Sequence, residues 1–367
     1  MSKKNIIKII VLIIFSISCM VFVYNDYFIY ETPILKITNI ETSYEKSDLS
    51  NEKHYTQTIT GIIKNGKHKG KIVEVKNYTS TSGVYDEQIH KRSELLVSLS
   101  SDGSEVVRIK NIKRDKYLVL LIVIFMDLLI MIGNKKGLKT LLSLIINIGI
   151  SVISILLFKK YSSVNLLLLY LVVSIIFIIV SLFIISGKNK KTLAAIISSI
   201  CSLLISFGLI YLIISLFGKD IFIWNMEYIE AVRDYKNFFY VSILLCGLGA
   251  IMDISITIAS SINELINKNP NINMKSLLKS GREISKDIVG TMINVMLYTC
   301  YTPVVPMLLL TVKNRVPIAR ALYLYGNLDL LIVLCGCISI VLSIPISLFI
   351  SLFIFKRGNK KWYGYYL

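Results

Sequence analysis

Residues Phe238 to Val312 read FFYVSILLCGLGAIMDISITIASSINELINKNPNINMKSLLKSGREISKDIVGTMINVMLYTCYTPVVPMLLLTV. Two apolar segments, Phe238–Ser261 and Ile288–Val312, flank a polar linker, and each is long enough to cross a bilayer core as a helix. The first carries Gly247-Leu248-Gly249-Ala250-Ile251-Met252-Asp253, a small-residue patch ending in a carboxylate, with Glu264 past its end. The second opens with Asp287-Ile288-Val289-Gly290-Thr291-Met292-Ile293-Asn294. Helical spacing puts Ala250, Asp253, Thr257, Ser261 and Glu264 on one face, and Asp287, Thr291, Asn294, Tyr298 and Thr302 on another. An ionised Asp costs roughly 2.5–3.5 kcal/mol at a helix centre on insertion scales, so Asp253 is expected to face protein or water. The expectation is that the two polar stripes satisfy each other across a seam that Gly247, Gly249, Ala250 and Gly290 keep close.

The rest of the chain extends this pattern. Of its 367 residues 54% are hydrophobic, and the mean hydropathy is +0.66. Further apolar runs lie at Ile6–Tyr24, Tyr117–Gly133, Leu138–Phe158, Val164–Ser186, Thr192–Phe217 and Leu328–Phe355, so about eight transmembrane helices are expected. The formal charge of +18 sits mostly in short connectors, where it sets topology; no nucleic-acid partner is implied. The two ends and connectors 134–139, 187–191 and 262–287 carry roughly twice the Lys/Arg of connectors 159–163, 218–237 and 313–327. That places both termini in the cytoplasm, with Lys313, Arg315 and Arg320 against it unless a re-entrant or interfacial helix follows Val312. The first run lacks a small-residue cleavage site and reads as an uncleaved anchor.

Between the first two spans the chain turns polar. Alternating segments at His54–Ile63, Lys71–Tyr78, Glu94–Ser100 and Glu105–Ile112, with turn signals at Asn65-Gly66 and Asp102-Gly103, predict an extracytoplasmic all-β domain of four to six strands. The expected organisation is an anchor helix over 1–27, this domain over 28–116, seven helices over 117–355 and a basic, aromatic cytoplasmic tail over 356–367. His54, His68 and His90 all lie in the β-domain at spacings that match no ligand pattern, so no metal or other cofactor is assigned. All six cysteines fall in spans, where Cys335-Gly336-Cys337 reads as small packing residues. The linker Asn269–Lys286 reads as an amphipathic helix on the inner membrane face.

The run Gly247–Leu265 (GLGAIMDISITIASSINEL), then Asn269-Pro270 and Leu277-Leu278-Lys279-Ser280-Gly281, then Asp287–Asn294 (DIVGTMIN), resembles the signature of YibE/F-like bacterial membrane proteins. Pro345 and the Lys135-Lys136-Gly137-Leu138 connector fit the same pattern, and the resemblance runs from about Gln57 onward. Val295, Cys300 and Thr302 depart from it, which weakens any carry-over to the outer half of the seventh span. The resemblance implies a multi-pass protein of the bacterial cell membrane, and implies no reaction.

Two functions fit these residues. One is an ion- or proton-coupled transporter or permease for an unknown ion or small molecule, with Asp253, Thr257, Glu264, Asp287, Thr291 and Asn294 as candidate path residues. The other is a non-transporting scaffold or accessory subunit whose β-domain binds a partner; a homo-oligomer or a membrane partner protein is possible in either case. An enzyme is not expected. The spans contain no His, HExxH or GxSxG, and Asp253 lies about 16 Å deeper than Glu264 along a helix, too far for a carboxylate dyad.

Overall fold

The computed structural model describes residues 3–45, 54–81, 86–100, 106–161, 164–217 and 235–357. The Asp102-Gly103 turn, most of connector 218–237 and most of the tail lie outside them. The chain divides into two compact units, Met1–Gly137 and Leu138–Leu367.

The first unit begins with helix α1 (Lys3–Tyr24) and a 3₁₀ turn (Asp26–Ile29), followed by strands β1 (Ile34–Glu45), β2 (His54–Ile63), β3 (Ile72–Ser80), β4 (Glu94–Leu99) and β5 (Val106–Ile112). The strands form one antiparallel sheet in the order β3-β2-β1-β4-β5, curled so that its two edge strands approach each other as in a half-barrel. Alternate residues point inward: Leu35, Ile37, Ile59, Ile63, Val73, Val75, Leu95 and Val97 make the core. Central strand β1 was not singled out from sequence, and its register shows why. A bulge between Ile37 and Asn39 moves the inward phase, so Leu35 and Ile37 are followed by Ile40 and the alternation breaks. Asn65 staples the turn after β2: its Oδ1 accepts from Ile34 N at 2.6 Å and its Nδ2 donates to Tyr30 O and Thr32 O. Gly66 next to it has φ 74°, a conformation that costs a residue with Cβ.

A buried ionic knot ties the sheet to its helices. Lys113 Nζ lies 2.7 Å from both Asp26 and Asp115, and Tyr30 donates to Asp115 at 2.7 Å. Burial would lower the Lys113 ammonium, but the carboxylates of Asp115 and Asp26 outweigh it and raise it above the ordinary lysine value. Burial, then the bond to Asp115, pushes the Tyr30 phenol up to about 12. Burial also raises Asp26, with Lys113 opposing.

Helix α2 (Asp115–Lys160) follows as one helical run broken at Asn134, which takes φ 48° and ψ −127°. A Cβ on Gly137 would overlap the Leu129 carbonyl. In a continuous helix those residues stand about 12 Å apart, so the chain folds back between them. Lys8 of α1 donates at 2.6 Å to Ile130 O, a carbonyl left free where the helix stops, and to the side-chain Oδ1 of Asn134. Seven helical stretches of the described residues are long and apolar enough to cross a membrane, and α2 is counted among them once. The non-helical Asn134 divides that stretch into two helices, which correspond to the second and third expected spans, Tyr117–Gly133 and Leu138–Phe158.

The second unit holds α3 (Leu166–Ser186), α4 (Lys190–Phe217), α5 (Tyr235–Cys246), α6 (Leu248–Lys268), α7 (Met274–Tyr301), α8 (Val305–Lys313), α9 (Ile318–Ala321), a π turn (Leu322–Gly326) and α10 (Asn327–Arg357). Its core is built by α4, α6 and α10, joined by α3, α5 and α7. The linker reading needs correction. The segment is helical from Met274, but Met274 to Tyr301 is one unbroken helix and not a separate linker helix, and its first turns bury Leu277, Gly281 and Ser285 against protein.

Candidate functional site

The candidate residues sit on α6 and α7. Gly247 lies between α5 and α6 where the last helix leaves little room: a Cβ there would meet Ser339 Cβ at 3.3 Å and Gly336 Cα at 3.7 Å. One face of α6 then buries Ile251, Ile254, Ser255, Ile258 and Ile262. At 100° per residue, Asp253 and Thr257 lie on the opposite face, and both are exposed, as are Gly249 and Glu264. On α7 Met296 is buried, while Asp287, Gly290, Thr291, Asn294, Tyr298 and Thr302 are exposed.

The two polar stripes therefore do not meet as expected. Helices α6 and α7 join through Ile254, Ile258, Ile262, Leu277 and Met296, which pack with Ile340, Leu348 and Leu352 of α10. Among the described residues no side chain donates to the Asp253 carboxylate, and Asn294 does not bond it. Thr257 turns its hydroxyl to Asp253 O at 2.7 Å and Thr291 to Ile288 O at 2.8 Å, each satisfied within its own helix. Glu264 pairs with Lys268 one turn on, at 2.8 Å. Apolar contact won the seam because branched side chains on the inner faces bury more area than the hydroxyls and amide could.

The glycines also distribute differently. Gly249 and Gly290 face open space, and Ala250 packs at the edge of the apolar cluster. The close approaches are made to α10: a Cβ on Gly336 would overlap Met296 Cε, and one on Gly281 would overlap Leu348. Around Gly336 the thiols of Cys246 and Cys300 come within 3.5 Å. Among the described residues no group of three or more His, Cys, Asp or Glu is gathered as a metal would need.

A feature missed from sequence is a buried row of hydroxyls. Ser198, Ser199, Ser202 and Ser206 of α4, Ser255 of α6, and Ser339, Ser343, Ser347 and Ser351 of α10 are all buried, and Ser255 and Ser347 bond across helices at 2.9 Å. Ser198, Ser206, Ser339 and Ser343 donate back to their own helix carbonyls, whereas Ser199, Ser202 and Ser351 find no partner among the described residues. The signal was there as a four-residue serine repeat, 339-343-347-351 and 198-202-206; a search for charges passes over it. Such a row lets helices approach closely and offers neutral donors and acceptors at membrane depth.

Asp127 of α2 accepts from Ser16 of α1. It belongs to the α1–α2 contact.

Comparison with known proteins gives a family. The family described as YibE/F-like protein matches residues 121–357, and the YibE/F family N-terminal domain matches residues 28–113. No curated protein and no solved structure matches the chain. The outward polar stripes, the α6 break at Gly247 and the half-barrel thus sit in a chain that belongs to the YibE/F-like family.

Proposed function

We propose that this protein is an ion- or proton-coupled permease of the bacterial cell membrane, with both termini cytoplasmic and Asp253 as the group that takes and releases the coupling ion. One observation carries the reading: a carboxylate near the middle of a long apolar stretch, exposed on its helix and bonded by no side chain among the described residues. Left against lipid it would cost roughly 2.5–3.5 kcal/mol, so water in a path or a second protein surface must meet it. Thr257 and Asn294 on the outward faces supply further polar atoms for a hydrated ion or small molecule, and Glu264 and Asp287 add exposed carboxylates on the same two helices. A homo-oligomer or a membrane partner would enclose this face.

The outward orientation also favours a second reading, a scaffold whose α6–α7 face docks a partner and moves nothing. One substitution separates them. In everted vesicles under a proton or sodium gradient, Asp253→Asn at normal protein level is expected to abolish ion flux, because the amide keeps hydrogen bonding and loses the charge. Gradient-independent flux, or full function of the Asn variant, overturns transport and leaves the scaffold. If the residue only holds a partner, Asp253→Leu lowers abundance while Asn is neutral.

A further inference from the structure

Where α1 ends and α2 begins, two cavities of the first unit meet. The larger, about 780 Å³, lies at the root of the sheet. Lys36, Lys64, Lys91, Arg92 and Lys116 line it, against one carboxylate, Glu94, to which Tyr27 already donates at 2.6 Å. The smaller, about 420 Å³, is an apolar groove between the helices, walled by Ile17, Met20, Val21, Leu120, Val123 and Ile124. Tyr24 and Asn25 line both, so basic cavity and apolar groove adjoin.

We infer that together they bind one anionic phospholipid, its phosphate headgroup among the cations and an acyl chain in the groove. The charges call for an anion. Among the described residues Lys36, Lys64, Lys91 and Arg92 enter no ion pair, and Lys116 has a single carbonyl acceptor, Arg92 O at 3.1 Å. Five such cations around one space repel one another unless a phosphate joins them, and phosphate accepts from several at once. The groove selects an amphiphile over a free anion. Counting along α1 from Tyr24 to Ser16 gives about 12 Å, and along α2 from Tyr117 to Asp127 about 15 Å, the hydrocarbon depth of one leaflet. The Ser16–Asp127 contact closes the deep end. At the mouth Tyr24 and Tyr117 flank Lys116, whose Nζ lies 6.0 and 5.4 Å from their ring centres, the aromatic and basic pairing of a headgroup zone.

The test uses the full chain in detergent, exposed to phosphatidylglycerol, phosphatidylcholine, glycerol 3-phosphate or inorganic phosphate, with retention read by native mass spectrometry. Phosphatidylglycerol is expected to be retained over phosphatidylcholine, with the soluble phosphates competing weakly. Lys64→Gln/Lys91→Gln/Arg92→Gln is expected to weaken retention by about fivefold per charge removed. A charge-matched control on the sheet away from the cavity, Lys76→Gln/Arg108→Gln/Lys110→Gln, is expected to change nothing. Ile17→Trp, which fills the groove and leaves every charge in place, is expected to release the lipid and spare any phosphate binding. Equal retention of the two lipids, or unchanged retention in the triple variant, overturns the site. Full competition by glycerol 3-phosphate with Ile17→Trp silent overturns the lipid and leaves a soluble phosphate ligand.

Discussion

Lys113 shows how one residue couples the sheet to the helices. It is 4% exposed and stands between two carboxylates, Asp26 just after α1 and Asp115 at the start of α2. Truncating the cation leaves both acids in a dry site, and breaking a buried pair in this way costs about 3–5 kcal/mol. Lys113→Met is therefore expected to lower the melting temperature of the detergent-solubilised protein clearly, while the exposed Arg114→Met, which loses only a surface pair with Glu87, shifts it little. The pH dependence has a definite sign. Lys113 and Tyr30 both have folded values raised above their unfolded ones, so their stabilisation is complete below pH ~10 and is lost as pH rises through the folded values. For Tyr30 that value is about 12. Hydrogen exchange at the β5–α2 junction should stay flat from pH 7 to 9, once corrected for the intrinsic rate, and accelerate above 10. A junction that loosens between pH 7 and 9 instead would mean that the knot does not hold it.

At the scale of elements, the fold rests on where glycines touch backbone. Gly→Ala inside a helix normally gains about 0.5–1 kcal/mol. At Gly137 that gain is outweighed, because the new methyl would strike the Leu129 carbonyl, which belongs to backbone and cannot rotate away. Overpacking of this kind costs about 1–3 kcal/mol, so Gly137→Ala should lower thermal stability, whereas Gly336→Ala, which meets the movable methyl end of Met296, should cost less. Gly249→Ala and Gly290→Ala, which meet open space, should be neutral or slightly stabilising. A four-variant melt decides this; equal losses at all four positions would contradict these contacts. The same contrast shows what was legible beforehand. Periodicity and length found the helices and strands β2 to β5, since apolar runs and alternation are local signals. The spacing of Asp253 and Thr257 correctly put them on one face of α6. What that face meets depends on which neighbour α6 chooses, and nothing local says that Gly336 and the serine row make α10 that neighbour. Strand β1 was hidden for a local reason, its bulge, and the knot at Lys113 for a non-local one, since its partners come from separate segments.

The whole molecule poses the question of orientation, which the charge distribution answers in a testable way. Lys8 reaches Ile130 and Asn134, so the start of α1 and the turn within α2 share one end of the first unit. Lys135 and Lys136 crowd beside that turn. At the other end α1 gives way to the 3₁₀ turn and sheet, and Asp26, Lys113 and Asp115 meet. From Lys8 to Tyr24 the helix rises about 24 Å, a length that matches most of a hydrocarbon core. On the proposed orientation, in which cytoplasmic segments collect Lys and Arg, the Lys8–Asn134 end is expected in the cytoplasm and the sheet outside. Reporter fusions after Gly187 and at Leu367 should then report cytoplasm, and one near Gly83 should report the exterior; Gly83 and Leu367 lie outside the described residues. The cysteine distribution makes a second measurement clean, because all six native thiols fall in spans. A single added cysteine at Lys67, exposed beside the Asn65 turn, should react with a membrane-impermeant maleimide in intact cells, and one at Lys135 only after lysis. Labelling of Lys135→Cys in intact cells would reverse the orientation. It would also move the basic cavity beneath the sheet to the cytoplasmic leaflet, where the same anionic lipid would have to be sought.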